Sequence, residues 1–195
     1  MTPFAQLPAF DPDGHLHVVI ETPKGSRNKY AYDPDLGVFR FKAVLPEGNS
    51  FPYDFGFIPS TRGPDGDPLD VLVLLDAPLE LGCLLTARLI GVIEAEQREA
   101  DGRTERNDRL LAVAIRARTH AHVRYLDELR PGFLDEIEAF FVHYNGLSGR
   151  RFTPVGRGGP ERARAVVEAR DAENTVWPFI SAATAAAASA STAAC

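Results

Sequence analysis

Three carboxylates fall within six positions of the chain, in the run Asp65-Gly66-Asp67-Pro68-Leu69-Asp70, whose glycine and proline indicate a turn. Unpaired carboxylates this close repel one another and raise one another's pKa, and a bound divalent cation would remove that repulsion. Hard oxygen ligands on a tight turn suit Mg²⁺ or Mn²⁺ better than zinc. An EF-hand calcium loop is excluded, because that loop needs glycine at the position that Asp70 holds. The alternative interpretation is a solvated acidic turn in front of a core strand at 71–75.

Longer motifs on either side of the turn favour a functional site. They read, in chain order, VVIETPKGSRNKY at 18–30, FPYDFGFIPSTRGPDGDPLDVLVLL at 51–75, RLIGV at 88–92, LLAV at 110–113 and FFVHY at 140–144. In sequence and in order these motifs resemble the soluble family I inorganic pyrophosphatases, over roughly residues 15–170. The resemblance implies a hydrolase that splits pyrophosphate into two phosphates by in-line attack of a metal-activated water.

The resemblance also implies how such a site works. Its cofactor is Mg²⁺, with Mn²⁺ or Co²⁺ as alternatives, because divalent cations neutralise a dense anion and lower the pKa of a bound water. Matched positions carry the roles over to this sequence. Asp65 and Asp70 match metal ligands, and Asp67 matches a metal ligand and the catalytic carboxylate beside the nucleophilic water. Four further positions match substrate-binding residues, which are Glu21, Lys29, Arg109 and Tyr144.

Several positions depart from the family pattern. The replacements are Ala31 for a Glu, Ala43 for an Arg, Phe51 and Phe55 for tyrosines, Gln97 and Asn107 for metal-ligating aspartates, Arg109 for a Lys, and Asn145 for a Lys. Three negative charges are thereby lost from the metal cage and two positive charges from the phosphate sites. Loss of one preorganised electrostatic partner commonly costs about 10²–10³ in rate. Arg109 keeps its charge but changes the geometry.

Three functions therefore stay open. The first is pyrophosphate hydrolysis with weakened chemistry, and the second is a catalytically degenerate protein that binds phosphate, a metal or a partner. The third is hydrolysis of another phosphoanhydride, with Phe51, Phe55 and Ala43 making room for an organic group. The hairpin at 93–109 is longer than the matching family loop and carries acidic residues that could replace the lost ligands, with Asp101 and Asp108 as the first candidates. The alternative is a merely solvated hairpin.

The elements that must position these residues are mainly strands. Runs rich in β-branched and apolar residues, separated by turn signals, predict strands at 16–21, 29–32, 38–41, 55–58, 71–75, 84–93 and 110–115. Many short strands indicate a small barrel, and the resemblance likewise implies an α+β, mainly β fold with an OB-like closed barrel flanked by two or three helices. Apolar residues at helical spacing predict one helix from Phe133 to Tyr144, and a second is predicted over 161–171.

Length and composition set the remaining limits. The 195 residues fit one barrel domain over 15–180, with an irregular arm at 1–14 and an Ala/Ser-rich flexible tail at 181–195. A net charge of −6 argues against a nucleic-acid partner. The chain has no apolar run of membrane-spanning length and no signal-peptide pattern, and its two cysteines form no disulfide framework, so we expect a cytoplasmic protein with no membrane partner. By resemblance we expect a homo-oligomer, specifically a hexamer.

Overall fold

The computed structural model describes Phe4 and residues 7–171, so the predicted tail lies outside the described residues. Strands and helices follow one another in this part of the chain as β1 (Leu16–Thr22), β2 (Asn28–Asp33), β3 (Val38–Val44), β4 (Asp54–Phe57), β5 (Asp70–Leu74), β6 (Leu84–Arg98), β7 (Thr104–Arg106), β8 (Arg109–Ala114), α1 (Phe133–Gly146), β9 (Arg151–Gly158) and α2 (Pro160–Asp171). All predicted strands and both predicted helices are found, with ends that differ by a few residues.

Five of the strands close into a ring. β1 pairs with β4, β4 with β5, β5 with β8, β8 with β6, and β6 returns to β1. The β5–β8 pair is parallel and the other four pairs are antiparallel. This arrangement confirms the predicted OB-like fold. β5 and β8 belong to the core of the domain, because almost every residue in them is buried.

Two hairpins extend from the ring. β2 and β3 form a separate two-stranded sheet around the turn that was predicted at 33–37. β6 runs on to Arg98 and pairs with β7, and Gly102 occupies the left-handed region at the tip with φ of 88°. The predicted hairpin around Asp101-Gly102 is therefore confirmed.

The strand β9 was not predicted from the sequence. Its run contains Pro154 and alternating glycines, which weaken the strand signal. It forms because it lies along the outer part of the long β6, with which it pairs antiparallel over most of its length. α1 packs on β9, where the ring of its buried Phe141 lies 5.6 Å from that of Phe152. This packing brings the C-terminal end of α1 toward the barrel core.

The close pairing of β1 with β4 leaves no space for a side chain at Gly56. A Cβ atom there would lie 2.2 Å from the backbone oxygen of Val19 and 3.1 Å from Val18. Because backbone cannot yield as a flexible side chain does, we expect Gly56→Ala to destabilise the fold by about 3 kcal/mol, the upper part of the usual range for overpacking. Urea unfolding followed by circular dichroism measures this loss.

The matched control is Gly146→Ala at the end of α1. A Cβ atom there meets nothing within 4 Å. The same substitution should stabilise the protein by up to about 1 kcal/mol, because alanine favours a helix over glycine. Equal stability of the Gly56→Ala variant and the wild type would contradict the close approach of β1 and β4.

Candidate active site

The predicted site residues come from five separate elements. Glu21 lies on β1, Lys29 on β2, Asp70 begins β5, Arg109 begins β8, and Tyr144 lies near the end of α1. Asp65 and Asp67 lie in the loop between β4 and β5. The parallel register pairs Val71 with Leu110, so the residues just before them, Asp70 and Arg109, are neighbours at one end of the barrel.

Glu21 is the buried carboxylate of this group. Its side chain is 9% exposed and accepts a hydrogen bond from the backbone N–H of Tyr32 at 2.7 Å. The pKa of Glu21 is raised to about 7, mainly by burial and also by the charges of Asp70 and Asp67, whereas the Tyr32 N–H and the charge of Lys29 oppose the rise. The structure therefore brings Glu21, Lys29, Asp67 and Asp70 close enough to act on one another.

The acidic turn is held by its own backbone. Asp65 accepts the N–H of Asp67 at 3.1 Å, and the N–H of Gly63 donates to the carbonyl of Asp67 at 2.7 Å. Gly66 has φ of 89°, a conformation that suits glycine. Desolvation raises the pKa of the Asp65 carboxyl, and the charges of Asp70 and Asp67 add to that shift. The turn thus holds two carboxylates at the edge of the site.

Asp70 is already paired with a cation. Its Oδ2 lies 2.7 Å from Nη1 of Arg109, whose side chain is almost fully buried. The same Nη1 donates to the backbone oxygen of Asp108 at 3.1 Å and to Oδ1 of Asn107. This ion pair could not be predicted from the sequence, because it depends on the parallel pairing of two strands far apart in the chain.

Asn107 and Gln97 face each other at the base of the long hairpin. Nδ2 of Asn107 donates to Oε1 of Gln97 at 3.1 Å, and Nε2 of Gln97 donates to Glu99. Gln97 is 6% exposed. The two positions that match metal-ligating aspartates are therefore occupied by hydrogen-bonded amides whose acceptor oxygens are already used.

Lys29 and Tyr144 meet over an aromatic cluster. The Lys29 ammonium lies 5.4 Å from the ring centroid of Phe55 and 5.5 Å from that of Tyr144. Phe51 and Phe55 are 2% and 1% exposed, and their rings pack against each other with centroids 5.6 Å apart. The two phenylalanines therefore fill the core next to Lys29.

The other departures lie at different depths. Ala43 is the cross-strand partner of Lys29, and Ala31 lies two residues further along β2, beyond a register shift between Lys29 and Tyr30. A side chain at position 43 can therefore lie beside Lys29. Asn145 is 1% exposed, and its side chain donates to the carbonyl of Phe141 at 2.9 Å, one turn earlier in α1. It is therefore bonded to its own helix and is not available to bind phosphate.

The acidic residues of the long hairpin are paired within it. Asp101 forms an ion pair with Arg103 at 2.7 Å. Asp108 accepts the N–H of Ala95 at 2.9 Å and Nε of Arg106 at 2.6 Å. Both first candidates for replacement ligands thus already have partners, which favours the solvated hairpin over a rebuilt metal cage.

A cavity of about 200 Å³ opens beside the acidic turn. Asp65 and Asp70 line one wall, and Asn107 and Asp108 line another. The remaining wall comes from α2, through residues that include Arg162. Sequence reasoning assigned α2 no part in the site, because its contribution depends on how the helix packs against β6.

The chemistry of the donor set suits a divalent cation on one side of the site, although the oxygen atoms of Asp65, Asp67 and Asp70 do not all lie within 4.8 Å of one another. Asp65, Asp67 and Asp70 offer hard oxygen atoms near Glu21, and their mutual repulsion is of the kind that a cation relieves. Within the described residues, the three acidic or histidine ligand atoms that approach within 4.8 Å of one another belong to Asp11, Asp13 and His15 instead. There the Asp11 carboxylate accepts the N–H groups of a turn, and it lies apart from the predicted site.

Comparisons with known proteins agree with this fold. The family model described as "Inorganic pyrophosphatase" matches residues 18–174. The inorganic pyrophosphatase of Nostoc sp. is 37% identical over 164 residues, 84% of this chain and 94% of that protein. That of Synechocystis sp. is 40% identical over 143 residues, 73% of this chain and 82% of that protein.

Solved structures give the same result. The crystal structure of inorganic pyrophosphatase from Thermus thermophilus has a TM-score of 0.80 and 34% identity, covering 89% of this chain and 99% of that one. The one from Neisseria gonorrhoeae has a TM-score of 0.80 and 31% identity, covering 88% of this chain and 99% of that one. Among the described residues, no helix has the length and apolar character needed to cross a membrane.

Proposed function

The chain belongs to the inorganic pyrophosphatase family, and from this membership we propose that it hydrolyses pyrophosphate to two phosphates with the help of a divalent metal. The observation that supports the proposal most directly is that Glu21, Lys29, Asp67 and Asp70 meet at one end of the barrel. These residues come from two separate stretches of sequence, 18–30 and 51–75. Their types suit the neutralisation of a dense anion and the activation of water.

We assign the metal to the acidic turn. Asp65, Asp67 and Asp70 would hold it, Asp70 through Oδ1 while its Oδ2 stays paired with Arg109. Mg²⁺ is the ion that their hard oxygen atoms and the anionic substrate favour, with Mn²⁺ or Co²⁺ as alternatives. When bound, such an ion neutralises phosphate charge and lowers the pKa of a coordinated water. Gln97 and Asn107 would contribute no charge to it.

The remaining roles fall to side chains of the chain itself. Lys29 has no ion-pair partner among the described residues, so its ammonium is available to a phosphate oxygen. Tyr144 lies beside it and can donate its hydroxyl. The Asp67 carboxylate is exposed and has no side-chain hydrogen bond among the described residues, so it can accept the proton of an attacking water. The Glu21 carboxylate interacts electrostatically with Lys29, and Arg109 forms an ion pair with Asp70.

Phosphate release from pyrophosphate tests the proposal. We expect release in the presence of Mg²⁺ that stops on addition of EDTA, and that is at least tenfold faster than release from nucleoside triphosphates, because Phe51 and Phe55 fill the core next to Lys29. Release from a nucleotide at the same rate or faster would favour the alternative function, which is hydrolysis of another phosphoanhydride. The assembly is proposed to be a homo-oligomer, a hexamer, in the cytoplasm and without a nucleic-acid partner.

A second candidate is a degenerate protein that binds phosphate without turning it over. The specific observation in its favour is that two hydrogen-bonded amides, Gln97 and Asn107, occupy the positions that match metal-ligating aspartates. The proposed metal site thereby lacks two negative charges. In that case no phosphate release would be seen with Mg²⁺, Mn²⁺ or Co²⁺, whereas calorimetry with inorganic phosphate would still show binding that Lys29→Ala weakens.

A further inference from the structure

We propose that Arg109 is a built-in cation of this site: its guanidinium takes the place of one divalent ion at Asp70, so that the substrate-free chain binds a single divalent ion. The inference rests on the proposed function, since it concerns the metal occupancy of the same site. It goes further because it assigns to one side chain a charge that a second ion would otherwise supply.

The ion pair itself is the first step. Arg109 is 5% exposed, and its Nη1 lies 2.7 Å from Oδ2 of Asp70. A guanidinium keeps its charge at all accessible pH values, and a buried charge is costly unless it is paired. Asp70 is the partner that offers a full negative charge. Removing Asp70 from Arg109 to coordinate a metal would therefore leave a buried cation without compensation.

The surroundings of Arg109 hold it in this position. Its guanidinium carbon lies 4.9 Å from the ring centroid of Phe141 and 5.3 Å from that of Phe152. Nη1 also donates to Oδ1 of Asn107, which in turn donates to Gln97. Aromatic faces and an amide acceptor both favour a guanidinium. The site is thus built around the arginine.

The amides at 97 and 107 fit an arginine better than a metal. Asn107 must accept from Arg109 with its oxygen and donate to Gln97 with its nitrogen, which an aspartate could not do. The oxygen atom of each amide already accepts one of these bonds. A divalent ion on this side of the site would meet two neutral amides and one carboxylate, Asp108, which is paired with Arg106, so this half of the site suits one poorly.

Formal charge leads to the same stoichiometry. The site holds four carboxylates, Glu21, Asp65, Asp67 and Asp70, and two side-chain cations, Lys29 and Arg109. Glu21, whose pKa is about 7, is only partly ionised at neutral pH, so between one and two negative charges remain. One divalent cation cancels them, and a second would leave the substrate-free site with a net positive charge.

Calorimetric titration with Mn²⁺ alone, without substrate, tests the inference. We expect one ion per wild-type chain. Arg109→Gln should raise the Mn²⁺ affinity at least tenfold or admit a second ion, because a full charge is removed at contact distance from Asp70. In that background Asp70→Asn should weaken Mn²⁺ binding more than it does in the wild type, since Asp70 is then fully available.

Arg106→Gln is the matched control. Arg106 lies on the same hairpin and lines the same cavity, but it pairs with Glu94 and Asp108. Its removal should leave the Mn²⁺ affinity within about twofold. An equal rise in both variants would overturn the inference, because the effect would then be long-range charge alone. Unchanged or weaker binding in folded Arg109→Gln, or two ions on the wild type, would also overturn it.

If Arg109→Gln does not fold, a measurement on the wild-type protein still tests the inference. The guanidinium N–H signals of Arg109, assigned through its own side chain by nuclear magnetic resonance, should persist as Mg²⁺ alone is added to saturation. Loss of these signals would show that the metal displaces Arg109 from Asp70 and would overturn the inference. These readouts need no turnover, so a chain that releases no phosphate yet shows this metal response would reject only the proposed function.

Discussion

Replacing Asp67 by asparagine is expected to lower kcat for pyrophosphate by about 10³-fold. The change keeps the shape of the side chain and removes the charge that would accept a proton from water, and general bases commonly contribute about 10²–10⁴ in rate. Among the described residues the Asp67 carboxylate has no hydrogen-bond partner that would restrain it. Steady-state phosphate release under saturating Mg²⁺ measures the loss.

The division of the effect between kcat and KM identifies the role. Loss of a base should lower kcat and leave KM within a few-fold, since Lys29 and Tyr144 still hold the phosphate. Asp35→Asn is the control, because Asp35 is an exposed aspartate in the turn between β2 and β3 and lies outside the site. It should retain full activity. A kcat for Asp67→Asn within threefold of the wild type would show that another group takes the proton.

Much of the fold could be predicted because the local signals agree with it. The apolar run at 71–75 predicts a buried strand, and β5 is buried along nearly its whole length. Helical spacing from Phe133 predicts α1 with its buried face. β9 was missed because its proline and glycines carry little strand signal, and pairing with β6 stabilises it instead. Such pairing depends on tertiary structure, which no short window of sequence contains.

The candidate site residues stay a prediction, and their hydrogen-bond and ion-pair partners could not be predicted from the sequence. The aspartate-rich turn could be found from spacing, and Glu21 and Lys29 from the resemblance. The pairing of Asp70 with Arg109 could not be found, because the two residues are thirty-nine positions apart and meet only through the parallel register of β5 and β8. The burial of Asn145 likewise follows from the packing of α1.

Restoring the family pattern at several positions together should raise pyrophosphate hydrolysis by about 10²-fold or more. The combined variant carries the changes Ala31→Glu, Ala43→Arg, Gln97→Asp, Asn107→Asp and Arg109→Lys. Ala43 is the cross-strand partner of Lys29, so its new side chain can lie beside Lys29. Two added aspartates would supply charged ligands where the amides now offer none.

Each single change should raise the rate by less than about threefold. Asn107→Asp alone places a carboxylate against Nη1 of Arg109, and the new pair would keep that carboxylate from a metal. Arg109→Lys alone loosens Asp70 but supplies no new ligand. Catalytic groups act as a unit, so the gain of the combined variant should far exceed the product of the single gains.

Phosphate release under saturating Mg²⁺, compared across the wild type, the singles and the combined variant, decides the matter. The combined variant with Asp70→Asn is the control, and it should return to the wild-type rate or below because an essential ligand is lost. A combined gain equal to the product of the singles would show that the positions act independently. If the wild type already turns over at about 10 s⁻¹ or faster, a rate typical of efficient enzymes, the substitutions do not weaken it. Arg109 and the amides would then be a working alternative to the acidic cage.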